Sequence, residues 1–210
     1  MAGQRRQARS RPETIARRKE IVKIATEVFG AKGYNAGTLV DIADQAGMTH
    51  AGILHHFGSK DQLLLEVLTY RDETDVEDLE ERHIPGGEEL FRHLVRTAIK
   101  NAERAGIVQS FVVLSAESVT DDHPARDFFV SRYATLRGEI SLAFAAMCEE
   151  RGIDQPAVVA DAAASILAVM DGLQVQWLLE RSAVDLGRAT EFAIEAIVAS
   201  VLSPQPSPFA

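Results

Sequence analysis

Three hydroxyl residues, Thr38, Thr49 and Ser59, each open a segment with helical apolar spacing. A hydroxyl at that position accepts a hydrogen bond from a backbone N–H two or three residues on and so starts a helix. A helix start also leaves backbone N–H groups without partners, and such groups bind phosphate. Asp41 follows Thr38 by three residues, which is a capping box with Asp in place of Glu. From the second start, Thr49, His50, Ala51, Leu54 and His55 are expected on the outward face, and Ile53 and Phe57 on the inward one. Small residues at 51 and 52 let the front of that helix come close to another surface. Hydroxyl and imidazole groups there can read base edges or hold phosphates.

The elements that must carry these residues follow from the spacing. Ile15, Ile21, Ile24, Ala25, Val28 and Phe29 form one face of a first helix, which Gly33 ends. Short helices are expected over 39–46 and up to residue 57, joined by Gly47-Met48, and a longer one over 60–82. Ala43, Ala46, Gly47 and Met48 put small residues and a turn where the short helices cross, and Ile42, Ile53 and Phe57 fill between them. Two short helices joined by a tight turn and buttressed by a longer one describe a helix-turn-helix. After the Pro85-Gly86-Gly87 loop, helices are expected at 88–104, 107–119, 124–151, 157–181 and 187–202. The fold class is all-α, about nine helices: an N-terminal three-helix head and a C-terminal bundle.

Composition narrows the chemistry. Of 210 residues 46% are hydrophobic but only 6% aromatic, which favours helix over sheet. Residues 1–60 carry a net charge of +5 and the remainder −14, so a basic head sits on an acidic body. Arg5, Arg6, Arg9 and Arg11 form a basic arm suited to phosphates or a minor groove. The charged N-terminal stretch does not read as a signal peptide. Asp161, Asp171, Gln174 and Gln176 interrupt the most apolar run, which is therefore not expected to span a membrane. Cys148 stands alone and reads as a packed thiol in a reducing cytoplasm. No GxSxG, P-loop, GxGxxG or HExxH is present, so no catalytic residues and no cofactor are expected. The acidic run from Asp72 to Glu81 reads as a solvated helix end. Its Glu80-x-x-His83 is a single motif where a di-iron site needs two, so no metal is expected.

The stretch GTLVDIADQAGMTHAGILHHFGSKDQLLLEVL, with IVKIATEVFGAKGY before it, resembles the DNA-binding signature of the TetR (tetracycline repressor) family of transcriptional regulators. The resemblance covers roughly residues 14–74. It implies a homodimeric repressor that binds a palindromic operator in double-stranded DNA and is released by a small-molecule effector. It divides the chain into an arm (1–13), a DNA-binding head (14–74), a ligand-binding and dimerisation body (75–202) and a tail (203–210). It also assigns a phosphate contact to Lys60 at the start of the next helix. The family commonly has a tyrosine where this chain has Leu54. Leucine cannot donate to phosphate, so Leu54 is left to a thymine methyl and the phosphate contact to His50 or His55.

The last two helices are apolar nearly all round, which implies coverage by a second copy; Ile197 is expected in that interface. Asp171, Gln174 and Trp177 share one face of helix 157–181 and are the expected ligand-pocket groups, together with Glu117, Arg132 and Tyr133. The other reading of these polar groups is internal hydrogen bonding, and of Trp177, packing in the dimer core. The alternative for the whole chain is a helical enzyme or metal-binding protein with an incidental helix-turn-helix.

Overall fold

The computed structural model describes residues 11–75 and 85–203. The arginines at 5, 6 and 9, the Glu80-x-x-His83 pair, the end of the expected 60–82 helix and nearly all of the tail lie outside those residues. The elements are α1 (Arg11–Ala36), α2 (Leu39–Gln45), α3 (His50–Phe57), α4 (Lys60–Asp75), α5 (Glu88–Asn101), α6 (Ala105–Glu117), α7 (Arg126–Glu149), α8 (Pro156–Leu179) and α9 (Leu186–Leu202). There is no strand among the described residues.

The expected caps are present. Thr38 and Asp41 form the reciprocal box at α2, and Thr49 Oγ1 accepts from Gly52 N–H at 3.1 Å at α3. Ile42, Ile53 and Phe57 are buried in the head with Ile21, Phe29 and Leu64. Ile15 differs from expectation: it is half exposed, lining an open cleft between α1 and α4 with Thr69 and Tyr70.

The head core does not close on itself. It runs on into Phe111 and Leu114 of α6 and Phe129 of α7, and α1 packs along α6. Close approach is possible because Gly30 lies against the Ser110 backbone, where a Cβ would sit 3.2 Å away. Gly33 bends the end of α1 with φ 73°, a region that disfavours side chains, and Glu117 fills the space a Cβ would need.

Leu90, Phe91, Phe144, Ile166 and Ile194 belong to a second core that joins α5, α7, α8 and α9. By length and composition α8 could cross a membrane, with mean hydropathy 1.6 over 18 residues. Here it packs against α6, α7 and α9 and carries Asp171 and Gln174 inward, as the central helix of a bundle does.

Candidate nucleic-acid interface and ligand cavity

On α3, Thr49, His50, Ala51 and His55 are all exposed, on the face away from Ile53 and Phe57. Leu54 is half-buried against the head core, so only part of it remains for an outside contact. Thr38 is exposed, but its hydroxyl already donates to Asp41 Oδ2 at 2.8 Å. Lys32 pairs with the same carboxylate at 2.8 Å, and these partners lower its pKa to about 2. Thr38 therefore shapes the start of α2, and its own donor is spent. Lys60 Nζ lies 4.3 Å from the centre of the Tyr34 ring, and partial burial lowers its proton affinity.

Two residues with no part in the sequence assignment hold this surface in place. Arg17 donates to the Ala46 carbonyl and, through Nε, to Met48 Sδ at 3.3 Å, which fixes the turn between α2 and α3. Arg18 donates to the His56 carbonyl at the end of α3, pairs with Glu66 at 2.8 Å and lies 4.4 Å over Phe57. A cation at a helix C-terminus meets the negative end of its dipole. Their i,i+1 spacing on α1 carried no sign of this, because the carbonyls they serve come from 29 and 38 residues away.

Beneath the head lies a cavity of about 1320 Å³ between α4, α5, α7 and α8. Arg132, Tyr133, Asp171 and Gln174 line it. Tyr133 donates its phenol to Asp171 Oδ2 at 2.6 Å. Burial raises the pKa of both groups, and the tyrosine O–H and nearby arginines partly offset this at Asp171.

Two expected pocket residues are elsewhere. Trp177 is one turn beyond Gln174 but packs with Ala98, Val108 and Leu186, under Arg181. The cavity's lining on α8 ends at Gln174, and the next turn meets α5 and α6 instead. Glu117 accepts the Tyr34 backbone N–H at 2.7 Å and joins α6 to the bent end of α1. It is a junction residue.

Sequence reasoning missed the cavity's wall on α4. Arg71 is 7% exposed, pairs with Asp72 and Asp75, and stacks 3.7 Å from the Phe111 ring centre. Arg132 reaches Asp72 at 2.8 Å and Arg104 reaches Asp75. Asp72 and Asp75 are thus shared ion-pair partners, contrary to the expected solvated helix end. The Arg71–Asp75 spacing of four was the available signal.

Beside Glu117, buried His123 accepts the Ala125 N–H through Nδ1 at 3.2 Å and stacks edge-on against Tyr34. An accepting Nδ1 means a neutral ring with the proton on Nε2, which lies 3.9 Å from Glu117. Burial lowers the His123 pKa, and Glu117 opposes that only in part. The unfolded chain therefore takes the proton first as pH falls, and stability is lost below about 6.5. We predict that the stability advantage of wild type over His123→Asn narrows from pH 7 to pH 5 in thermal melts. A constant gap would show that His123 does not titrate in this window.

Residues 21–67 match the family model "Bacterial regulatory proteins, tetR family", and residues 87–202 match "BetI-type transcriptional repressor, C-terminal". Over 56 residues the chain is 43% identical to the HTH-type transcriptional repressor KstR2 of Mycolicibacterium smegmatis, a match covering 27% of each chain. Among solved structures, the SmeT–triclosan complex superposes with a TM-score of 0.72 at 18% identity, covering 92% of this chain and 99% of that one. A transcriptional regulator from Saccharomonospora viridis in complex with choline gives 0.71 at 21% identity, covering 90% and 99%.

Proposed function

The chain belongs to the TetR family of bacterial regulatory proteins, and from that premise we propose that it is a ligand-responsive, DNA-binding transcriptional repressor, working in the cytoplasm as a homodimer. The exposed row Thr49, His50, Ala51 and His55 on a capped, braced α3 carries this reading. Two copies of α3 enter successive major grooves of a palindromic operator, about one helical turn apart. The Lys60 ammonium and the N-terminus of α4 meet the phosphates. His50 or His55 takes the place of the tyrosine that Leu54 replaces. Residues 14–74 act as the DNA-binding unit, 75–202 as the ligand-binding and dimerisation unit, and 1–13 and 203–210 as arm and tail.

The dimer surface is the outer face of α8 and α9. Ser165, Ala168, Gly172, Val175 and Leu179 repeat at alternating intervals of three and four along α8, and Phe192, Ala196 and Ala199 do so along α9. Leu179 is 83% exposed and Phe192 75%. Such a pair of faces closes with its symmetry mate into a four-helix bundle. Ile197, expected in that interface, instead packs against its own protomer's core.

The cavity is the effector site. Its wall includes α4, which enters the head directly, so a ligand that fits a shifted α4 better moves the two α3 helices out of register with the DNA. The small molecules in the SmeT and Saccharomonospora structures support a ligand role for this fold.

The test is direct. Thr49→Ala, His50→Ala and His55→Ala together should reduce binding to the DNA flanking the gene by about a hundredfold or more, with unchanged circular dichroism and melting temperature. Undiminished binding would mean that another surface meets DNA.

A further inference from the structure

The cavity wall is unbalanced in charge and in hydrogen-bonding capacity. Among the described residues it holds two arginines, Arg71 and Arg132, against six carboxylates, Asp72, Glu73, Asp75, Asp127, Glu139 and Asp171. Both arginines are already engaged, with Asp72 and Asp75 and over the Phe111 ring. The unmet demand lies on α7 and α8. Gln174 is only 4% exposed and its Oε1 has no partner; Glu139 Oε2 is likewise buried and unpartnered. Asp171 receives an O–H from Tyr133 at Oδ2. Among the described residues the unpartnered buried atoms of this wall are therefore both acceptors, and a buried acceptor left unpaired costs free energy that a ligand donor recovers.

The donor is organic. No group of three metal-ligating side chains converges among the described residues. Quaternary ammonium is recognised by cages of aromatic faces. Here the Phe111 face is covered by guanidinium groups, Phe128 is set edge-on against Phe129 and Tyr133 is held by Asp171, while the atoms that need a partner need a hydrogen-bond donor, which a quaternary nitrogen lacks; the surplus of carboxylates favours a charged one. The remaining wall is largely apolar, and 1320 Å³ is at or above the upper end of ordinary small-molecule pockets.

Resting on the effector reading above, we propose that the cavity selects a protonated amine on a long apolar body, its N–H groups received by Gln174, Glu139 and Asp171. The apolar part lies along Leu90, Leu94, Leu136, Ile140, Leu167 and Met170. Burial raises the proton affinity of Asp171 more than Tyr133, Arg71 and Arg132 lower it, which is in keeping with a carboxyl that a further cation would stabilise.

Four probes with one tail separate the head groups: decylamine, decyltrimethylammonium, decanol and decanoate, each below its micelle concentration. They are titrated calorimetrically into the full-length protein, and each is tested for release of the DNA flanking the gene. Decylamine should bind at least about tenfold tighter than decanol and tighter still than decanoate, the increment expected of charge-assisted hydrogen bonds. It should also bind tighter than decyltrimethylammonium and release the DNA. Glu139→Gln and Asp171→Asn should each collapse the ratio between amine and alcohol. Gln174→Leu, which removes the acceptor without touching charge, should do so in part. If decanol or decanoate binds best and releases DNA, the amine assignment falls and the effector reading stands. If the quaternary compound binds best, the N–H donors are not what is read. An unchanged ratio in the carboxylate variants places the amine elsewhere. If no probe binds, or none that binds releases DNA, both readings fail.

Discussion

Phe192→Glu is expected to turn the proposed dimer into monomers at micromolar concentration and to weaken binding to the DNA flanking the gene by about a hundredfold or more. The second half-site then no longer binds at the high effective concentration set by the first. Phe192 stands three-quarters exposed on α9, in a row with Ala196 and Ala199. A two-fold axis brings each such substitution to the interface twice, so two carboxylates would be buried without partners. Because the side chain touches little of its own protomer, the monomer should keep its helical signal and most of its melting temperature. Ile197→Glu provides the contrast. That side chain packs against the core of α5, α7 and α8, so its loss should unfold the protomer or produce aggregate. Sedimentation velocity and fluorescence anisotropy on the same samples distinguish the two. A soluble, unchanged Phe192→Glu dimer would require a different pairing face.

The second large effect is expected at Asp75. It bridges Arg71 and Arg104, and its side chain is only 12% exposed. Its removal leaves Arg71 buried beside Phe111 with Asp72 at 3.4 Å as the nearest carboxylate. Breaking a buried pair from one side costs about 3–5 kcal/mol. Asp75→Ala should therefore lower the melting temperature by about 10 °C in a domain of this size. Arg71→Met should cost less. Asp75 would keep Arg104, Asp72 would keep Arg132, and the methionine can still lie against Phe111. Equal losses in the two variants would show that Asp75 is not shared. These residues join α4 to α6 and α7, so Asp75→Ala should also weaken the influence of any cavity ligand on DNA binding, read as a smaller shift in DNA affinity at saturating ligand.

Local pattern determined much of this protein. The caps at Thr38 and Thr49, the glycine turn at Gly47 and the periodicity of Ile42, Ile53 and Phe57 placed α2 and α3 within a residue or two. These features act within one or two helical turns, and such interactions are written in neighbouring residues. The outward row of α3 followed from the same arithmetic, and so did the excess of apolar surface on α8 and α9. What tertiary structure decided were the matters of direction and distance. Glu117 is a polar residue in an apolar run and Trp177 an aromatic one on a plausible face, yet one meets a backbone N–H 83 residues earlier in the chain and the other fills a satellite core. Asp72 and Asp75 read as solvated because, beside the neighbouring Arg71, the cations that share them are Arg104 and Arg132, up to 60 residues further on. Arg17 and Arg18 carried no assignment in the sequence, and the fold spends them on carbonyls at the ends of α2 and α3. A helix repeats its faces every 3.6 residues, so its pattern tells which residues share a side. Which neighbour that side meets depends on how the other helices pack, and pairings between charges distant in sequence exist only once that packing is complete.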